Sequence, residues 1–162
     1  MKRLVMSIAV VSALFSSAAV QRAEAQTAKD LVGTWKLVSA VISKGSTKTD
    51  GFGPNPNGAL VFGSDGRFAL VFLRSDLPKV ASGDRSSQTP DESRAIAQGS
   101  IATFGTYTVD GKAIVMRLEG STFPNWSGAE QRRPFSLSGD ELTYTTPGST
   151  GVATDVTLRR VK

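Results

Sequence analysis

Residues 101–119 read IATFGTYTVDGKAIVMRLE. Two runs rich in Ile, Val, Thr, Phe and Tyr, 101–109 and 113–119, flank the pair Asp110-Gly111. β-branched and aromatic side chains suit a pleated strand, and a glycine beside an aspartate supplies the left-handed backbone of a tight hairpin turn. The stretch therefore predicts an antiparallel hairpin. The same pattern extends in both directions, with strands expected at 33–43, 58–62, 67–74, 131–137, 142–146 and 152–161 and turn chemistry at Ser64-Asp65-Gly66 and Ser138-Gly139-Asp140. Eight strands joined by hairpins form a meander, and an open sheet of that size leaves two adhesive edges. Closure removes both. The expected fold is all-β, an eight-stranded antiparallel up-and-down barrel whose interior is filled by side chains or holds one small ligand.

One segment departs from the period of two. Thr89-Pro90-Asp91-Glu92 has an N-cap threonine, proline at the first helical position, acids in the first turn and a glutamate placed to close a capping box. A single short helix is expected from there to about Gln98, stopping at Gly99 and lying against one mouth of the barrel or sealing an end. The preceding polar stretch, 75–88, is the longest loop, and it reads equally as a lid or as a solvated connector.

Composition narrows the chemistry. The 162 residues contain neither cysteine nor histidine, which excludes a disulfide framework, a zinc finger, a His-activated nucleophile, a His-ligated haem and a His pH switch. No cofactor or metal site is expected. Residues 1–25 have a basic start, an apolar stretch and Ala23-Glu24-Ala25 at the cleavage positions, so a signal peptide cut before Gln26 is expected, with 26–162 as the barrel domain. A retained anchor would need an apolar run of about 20 residues, longer than this one. The mature protein is then exported, periplasmic or secreted. Losing Lys2, Arg3, Arg22 and Glu24 lowers the net charge from +5 to +3. The densest basic pairs left, Arg132-Arg133 and Arg159-Arg160, are too short to track a phosphate backbone, and nucleic acid is not expected as a partner.

Along 67–74 one face carries Phe68, Leu70 and Phe72 and the other Ala69, Val71 and Leu73. Both are apolar, which places one face inside the barrel and the other under a helix, a loop or a partner. Gly33-Thr34-Trp35 at the start of the first strand resembles the glycine-x-tryptophan signature of lipocalins. A wider set of segments, 31–39, 58–60 leading to Asp65-Gly66-Arg67-Phe68, Gly83-Asp84-Arg85, 99–102 with Phe104-Gly105-Thr106-Tyr107, and 119–126, resembles the bacterial and fungal lipocalin-like domain family. The resemblance covers nearly the whole mature chain and implies a small β-barrel, while transferring no ligand. It also implies that Arg160 packs on Trp35 at the closed end, a structural pair. Leu158 stands where an aromatic is expected, which leaves Arg159 as the alternative.

The densest constellation lies between Glu119 and Arg133. If this turn is at the open mouth, Phe123 and Trp126 form apolar walls, and Arg117, Glu119 and Arg133 orient a polar head group. Phe68, Phe72 and Tyr107 complete the candidate ligand-binding set. The competing reading makes Arg117 and Glu119, two apart on one face, outward charge pairs across strands. Asn125-Trp126-Ser127 fits a glycosylation acceptor, discounted because the leader reads as bacterial. Gly51-Phe52-Gly53 sits in a Pro- and Asn-rich loop and is no dinucleotide fingerprint. For catalysis the candidates are Glu119, Asp84 and Tyr107 as acid or base, with Arg67, Arg85, Arg117 or Arg133 stabilising an anion. Three functions follow. The first is binding or carrying a small apolar molecule; the alternatives are a cyclase- or isomerase-type barrel enzyme and a protein-binding module using the outer surface.

Overall fold

A computed structural model describes residues 26–148 and 151–162. The expected signal peptide, 1–25, lies outside the described residues. The chain forms α1 (Ala28–Leu31), β1 (Gly33–Lys44), β2 (Thr47–Asp50), β3 (Asn57–Phe62), β4 (Arg67–Leu73), α2 (Pro90–Gln98), β5 (Ser100–Asp110), β6 (Ala113–Ser121), β7 (Glu130–Ser138), β8 (Glu141–Pro147) and β9 (Ala153–Arg160). Every strand pairing is antiparallel, and β9 returns to pair with β1. Eight strands therefore close as a barrel in the order β1, β3, β4, β5, β6, β7, β8, β9. The ninth, β2, pairs only with the far end of β1, Val41 to Lys44, and was not anticipated. Its four residues are polar and exposed, so hydrophobic alternation gave no sign of it. The four-residue helix α1 was likewise unanticipated.

The turns obey local chemistry. Gly66, Gly111 and Gly139 have φ of +81°, +59° and +56°, the left-handed values that glycine adopts without a Cβ penalty. Asp65 Oδ1 accepts from the Arg67 backbone N–H at 3.0 Å, closing the β3–β4 turn. Thr89 and Glu92 form the reciprocal capping box, with Glu92 N–H donating to Thr89 Oγ1 at 3.2 Å and Thr89 N–H donating to Glu92 Oε2 at 2.8 Å. Glu92 Oε1 also accepts from the Ala81 backbone at 2.8 Å, tying the 75–88 loop to the start of α2. Gly99 is the C-cap of α2, its backbone N–H donating to Ala95 O at 2.9 Å.

The core is one cluster inside the barrel. Inward positions alternate along β4 as Phe68, Leu70 and Phe72 and along β6 as Ile114, Met116 and Leu118. In β1 the alternation slips. Trp35 and Leu37 point in, a bulge falls between Leu37 and Ser39, and Ala40 is then the next buried residue. The outer face of β4 is not covered by the α2 helix or a loop: Val71 is 44% exposed, with Val61 at 42% and Phe104 at 50% on the neighbouring strands. Among the described residues no helix is long and apolar enough to cross a membrane.

Candidate functional site

The two ends of the barrel differ in kind. At the closed end Trp35 is fully buried and its indole N–H donates to Leu31 O at 2.8 Å. The Arg160 guanidinium lies 4.1 Å from the indole centroid and donates to the carbonyls of Val32 (2.8 Å) and Asp30 (2.5 Å). This arginine thus caps the backbone that crosses the barrel floor, and Arg160 rather than Arg159 stacks on Trp35. Phe62 and Tyr107 pack beside it with ring centroids 4.5 Å apart. The Tyr107 hydroxyl donates to Gly63 O at 3.0 Å, and burial pushes its pKa above the ordinary value, with Asp65 adding to the shift. Phe68 is buried in the same layer, paired with Phe62 across β3 and β4.

The other end opens into a cavity of about 460 Å³. Its floor and one wall come from Ala40, Ile42, Leu70 and Phe72, and its rim from Phe52, Phe123 and Trp126. Phe52 packs edge-on against Phe72 at 5.9 Å, and Phe123 against Trp126 at 5.5 Å. Ala97 and Gln98, the last turn of α2, also line the cavity. No residue of the 75–88 loop does, so the helix end contributes to the mouth and the loop does not.

The opposite wall is polar. In an eight-stranded ring β8 stands across from β4, and it presents Tyr144 and Thr146, flanked by Arg133 of β7 and Thr154 of β9. Arg133 is 2% exposed. Its Nε and Nη2 both donate to Gln131 Oε1, at 3.2 and 2.6 Å, and its guanidinium carbon sits 5.2 Å from the Tyr144 ring centroid. Burial lowers the Arg133 pKa, and Tyr144 beside it opposes the shift. Burial raises that of Tyr144, partly offset by Arg133, so its phenol stays protonated at neutral pH. The ion pairs among the described residues are all elsewhere, between exposed side chains.

The residues singled out from sequence therefore divide. Phe72, Phe123, Trp126 and Arg133 meet at the cavity. Phe68 and Tyr107 face inward but belong to the packed closed end. Arg117 and Glu119 point outward, because β6 turns Ile114, Met116 and Leu118 to the interior. Glu119 takes a bidentate bond from Arg67 of β4, at 2.6 and 3.3 Å, and Arg117 donates to Glu130 at 2.9 Å. These are the outward charge pairs of the competing reading. As acid or base, Glu119 and Tyr107 are both remote from the cavity. Asp84 is exposed, accepts from Ser86 N–H at 2.8 Å, and is held below its usual carboxylate range by that bond and by Ser87; its neighbour Arg85 is exposed too. Sequence reading missed Phe52 and Tyr144. For Tyr144 the signal was present in the alternation Leu142, Tyr144, Thr146; for Phe52, in an irregular loop, there was none.

No curated protein matches the sequence. Among solved structures, a redesigned β-barrel is 14% identical, covering 86% of this chain and 98% of its own, with a TM-score of 0.43. A point mutant of the fluorescent protein UnaG is 13% identical, covering 83% and 98%, with a TM-score of 0.35. The sequence profile of the lipocalin-like domain family matches residues 32–159, a span that takes in all eight barrel strands but for the last residue of β9. This chain belongs to the lipocalin-like domain family.

Proposed function

We propose that the protein is an exported carrier that holds a small, mainly apolar molecule inside its barrel. The observation that carries this reading is the cavity: about 460 Å³, walled by Leu70, Phe72, Ile42, Phe52 and Trp126, with a few hydroxyl and amide groups among them and one charged group, Arg133, on the β7–β8 side. Pockets for small molecules are of this size and this make-up, apolar surface for affinity and a few placed polar groups for orientation. No carboxylate lines it among the described residues, and its titratable groups, Arg133 and Tyr144, are both weak proton acceptors at neutral pH. That composition suits retention of a molecule better than proton transfer to or from it. Export rests on the sequence of residues 1–25.

Native mass spectrometry after incubation with a total lipid and metabolite extract tests the carrier reading. One apolar molecule per chain is expected, recovered chemically unchanged, and lost from an Ala40→Trp variant whose indole fills the cavity. A protein that stays empty sinks the proposal, and a ligand recovered in altered form replaces the carrier with an enzyme.

A further inference from the structure

The polar wall contains a charge without an opposite charge. Arg133 is almost fully buried, lines the cavity, and donates its side-chain hydrogen bonds among the described residues to one neutral amide oxygen, that of Gln131. None of the ion pairs among the described residues includes it. A guanidinium carries five N–H donors in a planar fork. Gln131 engages two, and the Tyr144 hydroxyl supplies a single further oxygen, so at least one donor is left for whatever enters the cavity. Arginine cannot escape the cost of burial by losing its proton, as a lysine would. Buried charges are as a rule paired, and here the partner is missing from the protein side.

We infer that the ligand carries a carboxylate, which docks on the Arg133 guanidinium while its apolar body lies against Leu70, Phe72 and Ile42. A carboxylate matches the fork in geometry and in charge. One guanidinium balances one carboxylate, whereas a phosphate monoester brings about −1.5 to −2 at pH 7 and would leave the cavity with an unpaired negative charge. Thr146 and Thr154, on the neighbouring strands, are further lining groups able to donate to the second carboxylate oxygen. The wall opposite β8 is free of charge, so the cavity has a direction: acid toward β7 and β8, hydrocarbon toward β1 and β4.

This inference rests on the carrier reading, and the two fail differently. Calorimetric titration at pH 7.5 with decanoic acid and with decan-1-ol compares probes that share a hydrocarbon chain and differ in the head group. Decanoate is expected to bind at least about tenfold more tightly than the alcohol, a difference of about 1.4 kcal/mol. Arg133→Met is expected to remove that advantage, bringing the acid to within about threefold of the alcohol. Arg133→Lys, which keeps the charge and loses the fork, is expected to fall between, and it serves if the methionine variant does not fold. Equal binding of acid and alcohol to the native protein overturns the carboxylate while leaving the carrier intact. Binding of neither overturns both.

Discussion

The Trp35 side chain is held by burial, by a hydrogen bond and by a stacked charge. It is fully buried, bonded through its indole N–H to Leu31 and covered by the Arg160 guanidinium at 4.1 Å. A guanidinium over an indole adds roughly 0.5–2 kcal/mol, depending on how far it is desolvated, and the bonds from Arg160 to Val32 and Asp30 fix the segment before β1 at the same time. Trp35→Ala is therefore expected to cost about 3–5 kcal/mol, the range for a large aromatic deleted from a packed core. Urea unfolding followed by circular dichroism measures it, and an unchanged midpoint would show that the closed end contributes little to stability. This residue was legible in the sequence through resemblance, since Gly33-Thr34-Trp35 at a strand start matches the glycine-x-tryptophan signature. Arg117 and Glu119 were not. Their spacing fits an inward pair or an outward pair equally, and only the register of β6 against β5 and β7 decides between them.

At the scale of elements, local chemistry was readable and long-range irregularity was not. The limits of α2 follow from Thr89, Pro90 and Glu92 at its start and Gly99 at its end, and the strands follow from alternation and turn glycines. The two bulges do not. One, at Val38, moves the inward set of β1 from Ser39 to Ala40 and so places Ala40 and Ile42 in the cavity. The other lies opposite Glu119, where the β5–β6 register steps between Phe104 and Gly105. There the strands approach so closely that a Cβ on Gly105 would strike the Arg117 carbonyl oxygen and come within 3.0 Å of the Glu119 N. Backbone cannot swing aside as a flexible side chain would. Gly105→Ala is expected to destabilise the barrel by about 1–3 kcal/mol, the usual cost of overpacking, with a lower melting temperature and an otherwise native circular dichroism spectrum. An unaltered melting temperature would mean that the strands part there without penalty. The bulge also explains the outward pairing, since Glu119 stands free of a ladder partner on the outer face and reaches Arg67 of β4 across the glycine.

Across the whole molecule the missing histidine and cysteine predict a shape for stability against pH. Several carboxylates are held below their ordinary values in the fold: Asp30 by the Thr27 backbone N–H, Asp76 by Arg74, Asp84 by the Ser86 N–H, Glu92 by the Ala81 N–H, and Asp140 by Lys162. A carboxylate with a depressed folded pKa stabilises the fold above its unfolded value, and that contribution disappears as pH falls through the folded one. These groups are exposed, so each effect is small and weakens in salt. Tyr107 and Tyr144 are shifted the other way, raised from 10.0 chiefly by burial. The unfolded chain loses these phenolic protons first, so their stabilisation is complete below about pH 10 and is lost as pH rises through the higher folded values. Lys162, raised from 10.5 by Asp140, has the same sign. Between the two limits no side chain of ordinary pKa titrates, because the residue types that do so are absent from the sequence. The melting temperature is accordingly expected to be flat, within about 2 °C, from roughly pH 6 to pH 9, falling below about pH 4 and again above about pH 10. Scanning calorimetry across that range decides it. A slope inside the plateau would overturn this expectation.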